Sequence, residues 1–216
     1  MTRSTGTPSN RRGSSMQVVF LLEEESAEAA LKLLVPHLLP AGCVPRYRVF
    51  EGCKDLLGQL QPLLQGYRRR LAQPGQQDLR VVVLLDADGV GPRRLAEMEA
   101  KATAAGLLTY GQATAGQEFH VFNALAVQEL EAWFLGDREA ITAAYPAVRG
   151  QHFKGLSKDP DTITDTWERL QQLLQKAGYP AAKTKVKWAE TITPHLDPAR
   201  NESASFRYFV AGLRAL

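Results

Sequence analysis

Four short runs rich in apolar residues divide the first two thirds of the chain, at 16–22, 47–50, 79–85 and 119–127. The first and third runs are almost continuously apolar, which is typical of parallel strands covered on both faces. The pattern therefore predicts four short strands, of which the one at 79–85 is the clearest.

Segments with helical periodicity lie between and after these runs, at 26–39, 54–71, 91–105 and 129–145. Ser26 is expected to cap the first helix, and Pro92 falls in the first turn of the third. The alternation of strands and helices predicts an α/β fold with a mostly parallel sheet and helices on both faces, as in Rossmann-like proteins.

The pattern changes after Pro146. Residues 146–163 have loop composition, and three helical segments follow at 164–177, 185–195 and 203–214, none of them followed by a strand. We therefore expect an α/β core at 16–145 and a helical C-terminal extension at 146–216 packed on it. Residues 1–15 are polar without an apolar period and are expected to form a disordered tail.

The chain has 216 residues, with 26 basic and 23 acidic side chains and a net charge of +3. Arg3, Arg11 and Arg12 lie in a tail that contains no acid, so the remaining residues are neutral. This balance excludes a general nucleic-acid-coating role but leaves a local basic patch open.

No apolar run is long enough to cross a membrane, and residues 1–15 lack the apolar stretch of a secretion signal. Cys43 and Cys53 are the two cysteines, and neither has metal-site or disulfide-framework spacing. We therefore expect reduced thiols in a cytoplasmic protein that does not contact a membrane.

Acidic residues follow three of the predicted strands: Glu23, Glu24 and Glu25 the first, Asp86 and Asp88 the third, and Glu129 and Glu131 the fourth. Ligands of open parallel sheets bind outside the carboxyl ends of the strands. In extended backbone Asp86 and Asp88 point the same way, so both can approach one Mg²⁺ ion, which prefers carboxylate oxygens. Glu23 is the best placed to complete such a site.

Each cluster also has a structural interpretation. Acidic residues stabilise the positive N-terminus of a following helix, and a D-x-D sequence after a strand often forms a turn and a cap. The two clusters together favour a metal site, because a cation neutralises the repulsion between adjacent carboxylates.

Two further groups are candidates. If 129–145 is one helix, Glu129 and Glu131 do not share a face, so only one of them is expected to reach the site. Lys183, Lys185 and Lys187 form a basic run, which is usually a solvated face but alternatively holds a polyphosphate backbone.

Several strings resemble the bacterial domain-of-unknown-function family 4276, namely LLEEESAEAAL, GCKDLLGQL, VVVLLDADG, NALAVQELEAWFLGDREAITAAYP, KDPDTI and ARNESASFRYFVAGL. The resemblance implies a Toprim-like core, in which Glu23, Asp86 and Asp88 would bind Mg²⁺ or Mn²⁺ and Glu131 would match the acid of the E-A-W string. Toprim motifs usually have Gly after the first Glu, whereas this chain has Glu24, so either Glu23 or Glu24 is the ligand.

The leading hypothesis is a Mg²⁺-dependent nuclease or related phosphoryl-transfer enzyme acting on DNA or RNA. Its catalytic residues would be Glu23, Asp86, Asp88 and Glu131, with the three lysines positioning the nucleic-acid backbone. The resemblance further implies a role in bacterial defence or a mobile element, with a partner ATPase. A homo-oligomer is also possible.

Two alternatives stay open. The string Asp86-Ala-Asp88-Gly matches the first motif of haloacid-dehalogenase-like phosphatases, with Asp86 as nucleophile, although it lies late in the chain and a second metal-binding aspartate is missing. The protein could instead be a non-catalytic regulatory subunit that keeps a Toprim-like platform.

Overall fold

The computed structural model describes residues 15–74, 78–180 and 185–216. Its four strands are β1 (Met16–Leu22), β2 (Cys43–Val49), β3 (Leu79–Asp86) and β4 (Val121–Ala126). They form one all-parallel sheet in the order β2-β1-β3-β4. This confirms the predicted α/β class with a parallel sheet. The two central strands are β1 and β3.

Strand β2 begins earlier than the sequence pattern predicted. It lies at the sheet edge and is only partly buried, with Pro45 paired opposite Val18. Proline is tolerated there because an edge strand does not need all of its N–H groups for the ladder. The strand therefore lacks the continuous apolar run of its neighbours.

Eight helices surround the sheet in the described part of the chain. They are α1 (Glu25–Leu34), α2 (Cys53–Leu71), α3 (Gly91–Ala104), α4 (Glu131–Leu135), α5 (Arg138–Ala144), α6 (Thr166–Lys176), α7 (Lys185–Ile192) and α8 (Ala204–Arg214). Along β1, Phe20 and Leu22 point into a core shared with α1 and the C-terminal helices, whereas Val19 and Leu21 point towards α2 and α3. Helices thus cover both faces, as predicted.

The single helix expected at 129–145 is wrong, because the chain breaks into α4 and α5 at Gly136 and Asp137. The buried Asp137 carboxylate accepts a hydrogen bond from the Ala140 amide and so starts α5 anew. Gly136 lies against Asn201, where a Cβ atom would clash. The expected cap is also wrong: Glu24 occupies the N-cap position of α1, and Ser26 lies inside the helix.

The residues after 146 complete the core on one face of the sheet. Helix α8 packs along β4, with the rings of Phe122 and Phe209 stacked at 6.0 Å. Gly212 permits this close approach, since a side chain there would enter the Phe122 ring. Most of the predicted tail, residues 1–14, lies outside the described residues. None of the described helices has the length and apolar character needed to cross a membrane.

Candidate functional site

Five carboxylates and one ammonium group meet at the carboxyl edge of the sheet. They come from the ends of β1, β3 and β4 and from the start of α7, and we call them the acidic cluster: Glu23, Glu24, Asp86, Glu129, Glu131 and Lys185. Strand β1 pairs in parallel with β3, and β3 with β4, so their carboxyl ends lie at one edge of the sheet. This arrangement is the one that the sequence predicts.

Glu23 joins three elements through its carboxylate. One oxygen accepts a hydrogen bond from the Cys53 amide at the start of α2, and the other accepts one from the Asp86 amide at the end of β3, both at 3.1 Å. Burial raises the pKa of Glu23, although the hydrogen bond from the Asp86 amide opposes this rise. Glu23 therefore fixes the backbone that presents Asp86.

Glu24, which also follows β1, has different contacts from Glu23. Its carboxylate accepts a hydrogen bond from the Ser26 hydroxyl and lies 3.5 Å from the ammonium of Lys185. Because Glu23 and Glu24 follow an extended strand, they project in different directions. Glu24, rather than Glu23, thus directly contacts the basic member of the cluster.

Glu131 is the most buried member of the cluster, with a fully inaccessible side chain. Neither of its carboxylate oxygens has a hydrogen-bond partner among the described residues. Burial raises the pKa of Glu131 to about 7, and Lys185 partly opposes the rise. The acid that the sequence placed beside apolar Trp133 is therefore buried without hydrogen bonds and aimed at the cluster.

Lys185 lies among three carboxylates. Its Nζ atom is 3.5 Å from Glu24, 3.6 Å from Glu129 and 3.9 Å from Glu131. The expectation that only one of Glu129 and Glu131 reaches the site is wrong, because α4 begins at Glu131 and Glu129 precedes it. The negative charges around Lys185 raise its pKa against the opposing effect of burial.

Glu129 has a structural role as well. Its second oxygen accepts hydrogen bonds from the Thr166 hydroxyl at 2.9 Å and from the Trp167 amide at 3.0 Å. These contacts hold the N-terminus of α6 against the end of β4. Glu129 thus ties the helical C-terminal part to the edge that carries the acids.

Asp86 lies at the end of β3, opposite Ala126 of β4. Burial raises its pKa well above the usual range, and the charges of Glu24, Glu131 and Glu23 raise it further. Lys185 opposes this rise. Asp86 and Glu131 are thus two carboxyl groups that bind a proton more readily than free carboxyls do.

Asp88 lies in the turn after β3 and is paired with a cation, although its charge still raises the pKa of Glu23. Its backbone has a left-handed φ of 45°, and its carboxylate pairs with the Arg94 guanidinium at 2.9 Å. Arg94, in the first turn of α3, also donates to the carbonyl of Asp86. The predicted alignment of Asp86 with Asp88 is wrong, because the strand ends at Asp86 and the chain turns at once.

The three lysines of the predicted basic run have different surroundings. Lys183 lies outside the described residues. Lys185 contacts the acidic cluster, whereas Lys187 is largely exposed and pairs with Glu190 at 3.5 Å. The two described lysines therefore lie in different environments on α7.

The chemistry of the cluster fits a hard divalent cation, but its arrangement is not a preformed ligand set. No group of three or more His, Cys, Asp or Glu side chains among the described residues could hold a metal ion as it stands. Both Glu23 oxygens accept backbone hydrogen bonds, and Asp88 pairs with Arg94. The carboxylates left to take a cation are Asp86, Glu131 and Glu24, where Lys185 now supplies the positive charge.

Sequence reasoning missed a buried polar network beside the site. The Asp161 carboxylate accepts hydrogen bonds from the Ser203 hydroxyl at 2.7 Å and the Ser205 amide at 2.8 Å. The Ser205 hydroxyl accepts from the indole of Trp133 and from the Val127 amide. The signal was present in KDPDTI and NESAS, whose unusual polar residues bind one another across the fold.

Together the fold and the cluster define an open α/β protein whose parallel sheet carries an acidic site at its carboxyl edge. A family model described as a domain of unknown function, DUF4276, matches residues 22–214. The chain therefore belongs to this family, as its sequence strings indicated. No curated protein and no solved structure matches the chain. The Toprim-like relationship stays a prediction.

Proposed function

We propose that the protein is a Mg²⁺-dependent phosphoryl-transfer enzyme, acting as a nuclease on DNA or RNA. The observation that carries the proposal is Glu131, a fully buried carboxyl group whose two oxygens accept no hydrogen bond from the residues that the structure describes, within a cluster of four other acids. A buried carboxylate in this state costs several kcal/mol unless it is protonated or bound to a cation. Five carboxylates share this cluster with one lysine, which is within 4 Å of three of them, and this excess of negative charge favours a further cation.

Asp86, Glu131 and Glu24 are the residues that would hold the ion. When bound, Mg²⁺ would neutralise a phosphate and lower the pKa of a water molecule. Glu23 positions Asp86 through its amide, and Arg94 holds the following turn by binding the Asp86 carbonyl and the Asp88 carboxylate. Glu23 and Asp88 are thus positioning residues in this proposal.

Glu131 and Asp86 can also carry a proton. Burial brings the pKa of Glu131 to about 7, so in the metal-free site this carboxyl can hold a proton near neutral pH. A bound ion would displace that proton.

A metal titration tests the proposal. Mn²⁺ and Mg²⁺ are titrated into wild type, Asp86→Asn and Glu131→Gln, with heat of binding and melting temperature as readouts. We expect wild type to bind and be stabilised, and both variants to lose at least about tenfold in affinity. Glu190→Gln on the exposed side of α7 is the matched control and should behave as wild type.

Cleavage assays follow with a single-stranded oligonucleotide, a plasmid and a tRNA, each with and without Mg²⁺. Metal-dependent cleavage that disappears in Asp86→Asn and persists in Glu190→Gln is the expected result. Equal metal affinity in wild type, Asp86→Asn and Glu131→Gln would contradict the proposal.

A second candidate, the non-catalytic regulatory subunit, has one observation in its favour. Lys185 already supplies a positive charge to Glu24, Glu129 and Glu131, as a purely structural ion-pair network would require. In that case wild type would show no metal-dependent stabilisation, and Lys185→Met would lower the melting temperature without creating a metal site.

The wider setting is also a proposal. The family resemblance supports a role in bacterial defence or in a mobile element, with a partner ATPase, and the two free cysteines support a cytoplasmic location. Assembly as a homo-oligomer is compatible with this setting. Co-purification from a bacterial host with the neighbouring genes, followed by identification of the bound subunits, would test the partner.

A further inference from the structure

A second concave site lies beside the acidic cluster at the same edge of the sheet. This pocket has a volume of about 610 Å³ and lies between the turn after β3, the end of β4 and the first turns of α3 and α8. Gly89, Leu95, Leu125, Val127 and Tyr208 form much of its wall. Its volume is typical of sites that enclose a small organic group.

The pocket adjoins the proposed catalytic acids through the chain itself. Ala87 and Gly89 line it, and Ala87 directly follows Asp86 in the chain. Asp86 and Ala87 project to opposite faces at the end of β3. A nucleotide whose base enters the pocket would therefore cross the end of this strand to bring its phosphate to the cluster.

The lining selects an uncharged, flat and apolar group. Asp161 is the one ionisable acid among the lining residues, and Ser203 and Ser205 occupy both of its oxygens. The Tyr208 side chain is 40% exposed, although its ring also packs against Phe122. An exposed aromatic ring beside apolar walls is the surface on which nucleic-acid bases stack.

Charges outside the pocket suit the phosphate of such a group. Arg93 is exposed in the first turn of α3, a helix of 14 residues whose N-terminus borders the pocket at Gly91 and Pro92. An arginine and a helix N-terminus both favour an anion. Arg93 follows the lining residues Gly91 and Pro92 directly in the chain, so a phosphate attached to a base in the pocket would have a cation available at the start of α3.

We propose that this pocket binds an unstacked nucleobase of a single-stranded nucleic acid next to the scissile phosphate. The inference rests on the proposed nuclease function and deepens it, because a base paired within a duplex is stacked and cannot enter. The site therefore prefers single strands, from DNA or RNA, over duplexes.

Binding is measured by fluorescence anisotropy without divalent ions, so that cleavage does not interfere. The probes are labelled oligodeoxythymidylate, oligouridylate and a duplex of the same length. We expect both single strands to bind more tightly than the duplex. Tyr208→Leu and Leu95→Glu should weaken single-strand binding by roughly tenfold or more, whereas Leu33→Glu, an exposed site on α1, should not.

A second measurement uses the wild-type chain and does not depend on how the variants fold. An oligonucleotide carrying 5-iodouracil is irradiated with the protein, and the cross-linked peptide is mapped by mass spectrometry. Because Tyr208 also borders a second cavity beside Tyr110 and Phe119, cross-links at both Tyr208 and the segment 87–95 support the pocket. Cross-links confined to other regions, duplex preference, or filling of the pocket by a second copy of the chain in solution would overturn it.

Failure of this inference is distinguishable from failure of the proposed function. Asp86→Asn should keep single-strand binding in the absence of metal while losing cleavage. If single strands bind in a way that depends on Tyr208 but no metal-dependent cleavage is found, the pocket inference stands and the proposed nuclease function is wrong. Cleavage unaffected by Tyr208→Leu and Leu95→Glu would reject the pocket alone.

Discussion

Glu131 shows how one side chain can carry a functional argument. Its carboxyl group is fully inaccessible and 3.9 Å from the ammonium of Lys185, and it accepts no hydrogen bond within the described part of the chain. An acid that served only to stabilise the fold would be expected to accept hydrogen bonds, as Glu23 and Asp161 do. Its burial instead favours a change of protonation or a bound ion.

The first prediction concerns the pH dependence of stability. Because the folded-state pKa of Glu131, about 7, lies above its ordinary value of 4.5, its proton stabilises the folded state below pH 4.5. This contribution is lost as the pH rises through 7. In metal-free protein the free energy of unfolding should therefore fall by up to about 3 kcal/mol from this residue.

Urea unfolding at pH 5 and at pH 8 measures this change. Glu131→Gln cannot ionise and should flatten the dependence, while Glu190→Gln should leave it intact. A dependence equal in Glu131→Gln and wild type would contradict the assignment of the raised pKa to Glu131. Metal affinity should show the opposite trend and increase with pH, because the ion competes with the proton.

The second prediction concerns Lys185. Removing its charge by Lys185→Met leaves Glu24, Glu129 and Glu131 without their neutralising ammonium, so metal-free protein should be less stable at pH 8 than wild type. The same variant should bind Mn²⁺ at least about tenfold more tightly, because the ion no longer competes with a tethered cation.

Calorimetric titration with Mn²⁺ measures the affinity of the site. Thermal unfolding in a chelating buffer measures the stability of the metal-free protein. Lys187→Met, on the same helix and largely exposed, is the control and should change neither quantity appreciably. Weaker Mn²⁺ binding in Lys185→Met would show that the lysine supports the metal site rather than competing for it.

At the scale of elements, contact between α8 and β4 positions one side of the site. Helix α8 places Ser205 where its amide and hydroxyl bind Asp161, and Phe209 stacks on Phe122. The close contact requires glycine at 212, because the Phe122 ring lies where a Cβ atom would be. The fit between these elements therefore depends on one missing side chain.

The third prediction is that Gly212→Ala destabilises the protein by about 1–3 kcal/mol, since the buried Phe122 ring must shift to accept the methyl group. Gly58→Ala is the matched control, because Gly58 lies within α2 with open space around its Cβ position. It should stabilise by about 0.5–1 kcal/mol through helix propensity alone. Chemical denaturation distinguishes the two, and equal effects would contradict the packing argument.

At the scale of the whole molecule, the C-terminal helices and the sheet form one structure. The core on the α1 face includes residues of β1, β3 and β4 together with Leu170, Trp188 and Phe206 from the later helices. Buried Asp137 also binds Arg200 through two hydrogen bonds, at 2.8 and 2.9 Å. The later helices thus cover a sheet face that would otherwise be exposed to water.

The fourth prediction follows from this shared core. Removing residues 203–216 should abolish cooperative unfolding, because Phe122 and Trp133 lose their cover and Asp161 loses its serine partners. Circular dichroism during thermal unfolding is the measurement. Removing residues 1–14 is the control and should leave the transition unchanged, as expected for a polar tail. A cooperative transition in the first variant would contradict the single core.

Much of the architecture could be predicted because its signals are local. Apolar runs, helical periodicity and the change of pattern after Pro146 indicated both central strands and most helices. Local signals failed at 129–145, where the break at Gly136 depends on Asn201, more than sixty residues later. They also failed at Asp88, because nothing near it indicates that Arg94 would bind its carboxylate.

For the candidate site, the sequence by itself determined which acids follow the strands and that a parallel sheet brings them to one edge. Only the tertiary structure decided that Glu23 binds backbone amides, that Asp88 pairs with Arg94 and that Lys185 enters the cluster. The physical reason is that strand ends are set by hydrophobic patterning along the chain. The direction and protonation of each carboxylate instead depend on donors, charges and burial supplied by residues distant in sequence.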